Sequence, residues 1–152
     1  MELDDLDIKI LEEFGKNPRS SFREIGRKLK VHTATVIRRF NKLIDEGIIL
    51  GTCVKINFEK LGFMSSAWLM LNVDLTKKKK ILNFIKKEKR VVKAYEITGS
   101  FDIAIEVIVK DVKELKEIIE KVAGVEGVKR VESNVVLNKV KDYCLMEDGL
   151  PI

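Results

Sequence analysis

Residues Ser21-Phe22-Arg23-Glu24-Ile25-Gly26-Arg27-Lys28-Leu29-Lys30-Val31-His32-Thr33-Ala34-Thr35-Val36-Ile37-Arg38-Arg39-Phe40-Asn41-Lys42-Leu43 carry the pattern on which the fold turns. Ser21 and Glu24 are spaced as a capping box, in which the serine oxygen accepts the Glu24 amide and the carboxylate accepts the Ser21 amide. A short helix is expected to follow as far as Leu29, with Phe22, Ile25, Gly26 and Leu29 inward. Glycine costs about 1 kcal/mol in a helix relative to alanine, so Gly26 predicts a neighbouring helix too close for a side chain. Lys30-Val31-His32 forms a turn, and a further helix is expected from Thr33 to Glu46 with Val36, Phe40, Leu43 and Ile44 inward. At about 100° per residue, Ala34, Arg38, Asn41 and Asp45 lie opposite that stripe, flanked by Thr35 and Lys42, with Arg39 at the boundary. Gly47 is placed to stop the helix as its C′ residue.

Upstream, Leu6, Ile10 and Phe14 recur at helical spacing with Leu11 beside them, Asp4 or Asp5 can cap, and Gly15 and Asn17-Pro18 are expected to end the helix. Three short helices with a tight turn before the third make a helix-turn-helix. Charge sharpens the reading. Arg19 to Lys42 holds eight basic side chains against Glu24 alone, whereas Met1 to Pro18 holds six acids against Lys9 and Lys16. A basic block on two short helices beside an acidic one is the footprint of a phosphate-facing surface. Arg38, Arg39, Thr33 and Thr35, with Ala34 and Lys42 beside them, are expected to face the major groove of double-stranded DNA, because Arg forks onto guanine or phosphate and Thr serves either. Arg19, Ser20, Ser21 and Arg23 are expected to hold phosphate at the start of the preceding helix, where free amides and the helix dipole assist. His32, the single histidine, reads as a helix cap or DNA-backbone neighbour rather than a metal ligand.

Ile49 to Ile56 is rich in strand-forming residues and is expected to be a strand, and 58–63, with Gly62, a hinge. Beyond it the pattern reads strand 64–74, helix 76–89, strand 91–98, tight turn, strand 102–110, helix 111–123 and strand 128–140. That order, βαββαβ, is ferredoxin-like. The fold class is therefore α+β: a winged-helix-like helix-turn-helix over 1–50, a linker over 51–63, a ferredoxin-like domain over 64–143 and a tail over 144–152. In that domain Ile103, Ile105, Val107 and Val109 share one sheet face, while Ala104 and Ile108 flank Glu106 on the other. Two helices cover only one face, and an open face facing water should be more polar, so a symmetric dimer through the second face is expected. Thr76-Lys77-Lys78-Lys79-Lys80 reads as a solvated helix start, although so basic a helix N-terminus opposes the dipole. Thr98-Gly99-Ser100-Phe101-Asp102 joins the two middle strands. Its glycine leaves amides open to a carboxylate, and Asp102 can meet an ammonium, a combination that suits a free amino acid.

Composition narrows the function classes. Of 152 residues, 45% are hydrophobic and 35% charged, enough for a folded core. No apolar run approaches the ~18–20 residues of a membrane span, and the acidic start lacks the basic region of a signal peptide. Cys53 and Cys144 are far apart and read as reduced thiols. A cytoplasmic protein is expected, with no catalytic residue, metal or cofactor. The absence of glutamine beside abundant Lys and Glu fits a heat-adapted cytosol. An enzyme would need a phosphate loop, a nucleophile beside a base or a metal cluster, and the sequence offers none. A DNA-compacting protein is the other alternative, separated from a regulator by its affinity ratio between promoter and random DNA.

Taken in order, these motifs resemble the leucine-responsive regulatory protein/AsnC family of feast/famine regulators. Leu3-Asp4-Asp5-Leu6-Asp7-Ile8-Lys9-Ile10-Leu11 is similar to the family's start, Thr35 to Leu43 followed by Glu46-Gly47-Ile48-Ile49 to its recognition helix and exit, and Thr98 to Asp102 to its Gly-x-x-Asp turn. The resemblance implies a helix-turn-helix joined by a strand and hinge to a regulatory domain of amino-acid metabolism. It implies dimers through the sheet, often assembled into tetramers or octamers, with a small amino acid bound between dimers near Thr98, Gly99, Ser100, Phe101 and Asp102, and Ser133 as a neighbour. Two positions depart from the family: His32 stands where a serine caps the third helix, and Val131 replaces a threonine.

Overall fold

The computed structural model describes residues 3–54 and 56–140. The chain divides into two compact units that part between Lys55 and Ile56, inside the expected 51–63 linker. The expected 144–152 tail, Cys144 and the end of the 64–143 domain lie outside the described residues.

The first unit contains α1 (Asp5–Lys16), α2 (Phe22–Leu29) and α3 (Thr33–Asp45). Asp4 caps α1, accepting the amides of Leu6 and Asp7 at 3.0 and 2.9 Å, and Asp7 accepts the Asp4 amide in return. The helix continues through Gly15 and stops at Asn17, whose Oδ1 accepts the Arg19 amide at 3.1 Å. The capping box of α2 forms as the spacing requires: the Ser21 amide donates to Glu24 at 2.7 Å and the Glu24 amide to Ser21 Oγ at 3.2 Å. One face of each helix meets in a core where Ile10, Ile25, Val36 and Leu43 are fully buried. Phe14, Phe22 and Phe40 add a closed aromatic triangle with centroids 4.6–5.7 Å apart, a geometry that adds specific stabilisation beyond area.

The close neighbours of Gly26 are the turn and the first residue of α3. A Cβ there would lie 2.9 Å from the Val31 carbonyl oxygen and 3.4 Å from the Thr33 amide nitrogen. Gly47 (φ 70°) closes α3: its amide bonds the Ile44 carbonyl and that of Ile48 the Leu43 carbonyl, both at 2.9 Å, a Schellman motif. Past it the expected Ile49–Ile56 strand, and with it the wing, is not formed among the described residues. Strand-forming composition needs a hydrogen-bonding partner, and among the described residues no strand of the sheet pairs with it. Leu50 and Val54 are left 95% and 85% exposed.

The second unit is a four-stranded antiparallel sheet of β1 (Ser65–Val73), β2 (Val91–Glu96), β3 (Ile103–Val109) and β4 (Val128–Val135), in the order β2-β3-β1-β4. Helices α4 (Lys78–Lys87) and α5 (Val112–Ala123) cover one face. The helix-facing parity of β1 and β3, Leu69, Leu71, Ile103, Ile105 and Val107 among them, packs on Ile81, Ile85, Leu115, Ile118 and Val122. This is the expected βαββαβ order, with two adjustments. Helix 76–89 is a 3₁₀ turn (Leu75–Lys77) followed by α4, and strand 128–140 ends at Val135, one bond short of Val136, whose amide donates to Ser66 O at 2.9 Å.

Gly127, which enters β4, has φ 96°, and a Cβ built there would collide with Lys77 Cβ and meet Ile81 Cδ1 at 3.3 Å. Its carbonyl also accepts the Asp74 amide at 2.7 Å. Gly127→Ala is therefore expected to cost about 2 kcal/mol, from left-handed backbone strain and overpacking together. Chemical denaturation reads this, and an unchanged midpoint would show that the 3₁₀ turn yields freely.

Candidate functional site

The outer face of α3 is the candidate nucleic-acid interface. Ala34, Arg38, Asn41, Lys42 and Asp45 are exposed, and Thr33 and Thr35 are half-buried at its first turn. Arg19, Arg23, Arg27 and Lys30, on and beside α2, are exposed as well. Lys30 terminates α2 in the left-handed region (φ 56°) and so holds the turn that aims α3. Lys28 is committed elsewhere, 2.7 Å from Glu13 of α1, and its hydrogen bond holds the Glu13 carboxyl below the usual carboxylate range. Ser20 is half-buried, and Ser21 is engaged in its capping box with Glu24. Ile37, 39% exposed beside this face, was not singled out from the sequence. An apolar side chain there could meet a thymine methyl, and its only sequence signal is an apolar residue outside the packing stripe.

Arg39 is the correction. The sequence places it toward the major groove, yet in the structure its Nη1 donates to Asp4 Oδ1 and Oδ2 at 2.6 Å and to Asp7 Oδ1 at 2.8 Å. Asp7 is buried. The guanidinium is held against α1 because two carboxylates at the acidic N-terminus of α1 attract it more strongly than water does. The hydrogen bond from Arg39 is the main cause of the lowered Asp4 pKa.

His32 occupies the N-cap of α3 and its side chain makes no capping hydrogen bond, unlike Asp4 and Ser21 on the other two helices. His32→Ser is expected to raise stability by about 1 kcal/mol by supplying the missing acceptor. A thermal or urea midpoint that stays put or falls would show that the imidazole already has a structural task.

In the second unit, residues 98–102 lie between β2 and β3, with Thr98, Gly99 and Ser100 exposed and Phe101 and Asp102 half-buried. Gly99 has φ 116°, a conformation that favours glycine. The turn is tied down on both sides. Asp102 Oδ2 accepts the Val73 amide at 2.8 Å, the Asp102 amide donates to Leu71 O at 2.9 Å, and Asn72 Nδ2 donates to Ser100 O at 2.7 Å. The Arg130 guanidinium lies over the Phe101 ring at 5.3 Å. Ser133 is not brought to this cluster by the register: it pairs with Leu69, on the helix-facing parity, whereas Arg130 pairs with Asn72 on the open side. Val131 pairs with Leu71, also on the helix-facing parity.

On the open face Trp68 stacks on Tyr95 with centroids 6.2 Å apart, and Tyr95 is 52% exposed. Glu106 is nonetheless buried there. Burial pushes its carboxyl upward, but the bonds from Lys93, at 2.8 Å, and from Ser66 prevail with the nearby Lys139 charge, so its pKa is lowered.

Two family models match the chain: the AsnC-type helix-turn-helix domain over residues 3–44 and the Lrp/AsnC ligand binding domain over residues 66–146. An uncharacterised HTH-type transcriptional regulator of Pyrococcus horikoshii is 36% identical over 93% of this chain and 96% of its own. The HTH-type transcriptional regulator Ptr1 of Methanocaldococcus jannaschii is 40% identical over 72% of this chain and 74% of its own. Among solved structures, Escherichia coli AsnC superposes with a TM-score of 0.86 at 24% identity, over 93% of this chain and 97% of that one. A Neisseria meningitidis transcriptional regulator in complex with L-Met gives 0.87 at 21% identity, over 93% and 94%. Among the described residues no helix is long and apolar enough to cross a membrane. With both halves matched in order and a relative alike over nearly its full length, the chain belongs to the Lrp/AsnC family of HTH-type transcriptional regulators, a family of regulators and not of enzymes.

Proposed function

We propose that this regulator reads a specific operator with the outer face of α3, acts in the cytoplasm as a dimer or larger assembly, and is tuned by a small amino acid bound at residues 98–102. The observation that carries the reading is Arg38: exposed at the centre of a cationic face and, unlike Arg39, in no ion pair or side-chain hydrogen bond among the described residues. Thr33, Ala34, Thr35 and Lys42 share that face of α3, while Arg19, Ser20, Ser21 and Arg23 sit at the start of α2, where backbone contacts to phosphate set register. Arg39 is assigned instead to bracing α1. The effector reading is supported by a Gly99 turn with exposed backbone beside an anchored carboxylate, and by the L-Met complex of the Neisseria relative in fold. An amino acid offers both charges that such a turn can hold. Ser133 lies on the opposite parity from Arg130 and is left out of this site. Self-association is supported by the exposed Tyr95 and its Trp68 stack on the uncovered sheet face.

The test is binding to the protein's own promoter fragment against random competitor, with and without a pool of amino acids, at stated salt. Preferential binding that the pool alters supports the whole reading. Preference untouched by the pool removes the effector, and equal binding to both DNAs replaces the regulator with a compaction protein.

A further inference from the structure

The start of helix α4 breaks the charge rules that α5, in the same unit, obeys. Within α5, Lys113, Lys116 and Lys121 balance Glu114, Glu117 and Glu120, and Asp111 caps the N-terminus by accepting the Glu114 amide. By contrast, α4 holds Lys78, Lys79, Lys80, Lys86 and Lys87 and no acid, its N-cap Lys77 makes no capping bond, and its first turn has no acidic residue. Cations at a helix N-terminus oppose the dipole and weaken the helix. A general surplus of lysine cannot explain a bias confined to one of two helices packed on the same sheet. The dipole therefore opposes the lysines at the start of α4, whereas Lys86 and Lys87, in its last turn, sit where it favours cations.

Ion pairing divides these lysines into two groups. Lys78 pairs with Glu96, and Lys80 and Lys77 share Glu126 at 2.5 and 2.9 Å. Lys79, Lys86 and Lys87 are exposed and have no acidic partner among the described residues. At about 100° per residue these three and Asn83 fall within about 100° of arc, opposite the buried Ile81 and Ile85. They span about 12 Å of axis at 1.5 Å per residue. One DNA strand advances about 3.4 Å per phosphate, so that face can track three to four phosphates.

We propose that the outward face of α4 is a second DNA-binding surface, which holds the phosphate backbone without reading sequence through Lys79, Lys86 and Lys87. The inference rests on the chain being a DNA-binding regulator. Duplex DNA is favoured over other polyanions because the same chain carries a helix-turn-helix in its first unit. Flexible ammonium groups act as point charges suited to phosphate rather than to base edges.

The test measures affinity of the full chain for a long promoter fragment and for random DNA of equal length, across a series of salt concentrations. For the Lys79→Gln/Lys86→Gln/Lys87→Gln variant the expected result is at least about a tenfold loss on both DNAs at low salt. The promoter-to-random ratio should be unchanged, and the slope of log affinity against log salt shallower by about 2–3 per protomer. A slope and affinity equal to wild type, or a loss confined to the promoter, overturns the proposal. A single Lys79→Glu variant separates binding from folding. It should raise the thermal midpoint by relieving the helix end and still weaken both DNAs; a raised midpoint with undiminished binding also overturns it. Failure of the parent reading looks different, since wild type would then show no preference for the promoter at all.

Discussion

Arg38→Ala is expected to remove the protein's preference for its operator while leaving its unfolding midpoint where it was. The side chain is exposed on the outer face of α3, and no ion pair or side-chain hydrogen bond of its own is seen among the described residues, so folding has little to lose. A bidentate arginine–guanine pair is worth about 1–3 kcal/mol of discrimination, roughly 5- to 150-fold in each half-site. A dimer contacting two half-sites loses twice that free energy. Random DNA should be affected far less, because the phosphate contacts proposed for Arg19 and Arg23 would remain. The measurement is the promoter-to-random ratio by competition at fixed salt, beside a urea melt of the same preparation. Undiminished operator affinity would move the readout away from the centre of this face, toward Thr33, Thr35 or the exposed Ile37.

Arg39→Leu should show the opposite signature, a large loss of stability in the helix-turn-helix unit. It removes the donor to Asp7, whose side chain is 6% exposed, and leaves a buried carboxylate without its cation. Breaking such a partly buried pair is expected to cost about 3 kcal/mol, a sizeable share of a small unit's stability. Urea denaturation read by helical signal tests this. Recovery of part of the loss by Asp7→Asn in the same chain would identify the stranded charge as the cause, and a loss below about 0.5 kcal/mol would show that water replaces the guanidinium. The pH dependence carries the same information. Arg39 lowers the folded Asp4 pKa, Lys28 that of Glu13, and the Ser21 amide that of Glu24. Carboxylates depressed in the folded state contribute stability that is full above the ordinary carboxylate range and lost as pH falls through their lowered values. Wild type should therefore weaken below about pH 4. The acid limb should be shallower in Arg39→Leu, because Asp4 then no longer differs so much between folded and unfolded chains.

The adjacent residues Arg38 and Arg39 show where reading from sequence stops. Their chemistry is the same, and a helical wheel sets them only about 100° apart, at the centre and the boundary of one face. What separates them is Asp4 and Asp7, more than thirty positions away in sequence and brought close by packing of α1 on α3. The Ile49–Ile56 segment fails for a related reason. Its composition favours a strand, but a strand exists only with a partner, and none pairs with it among the described residues. Ser133 was grouped with the Gly99 turn by the family's pattern, and the β1–β4 register put it on the other parity. Gly127 carried no turn motif that marked it, because its neighbour, Lys77, lies fifty residues earlier.

The sequence by itself determined the three helices, the caps of α1 and α2 and the glycine stop of α3, the βαββαβ order, the cationic block around α3 and the Gly99 turn. Each depends on residues within a few positions of one another: an oxygen three residues from an amide, a glycine at a left-handed bend, a period of about 3.6 or 2 in apolar side chains. Tertiary structure alone decided which arginine stays exposed and which braces α1, which residue of β4 lies over the Phe101 ring, and which lysines of α4 have no acidic partner among the described residues. An ionic group is claimed by whichever opposite charge packing brings within hydrogen-bond reach, and that choice is made between elements, where no local periodicity records it.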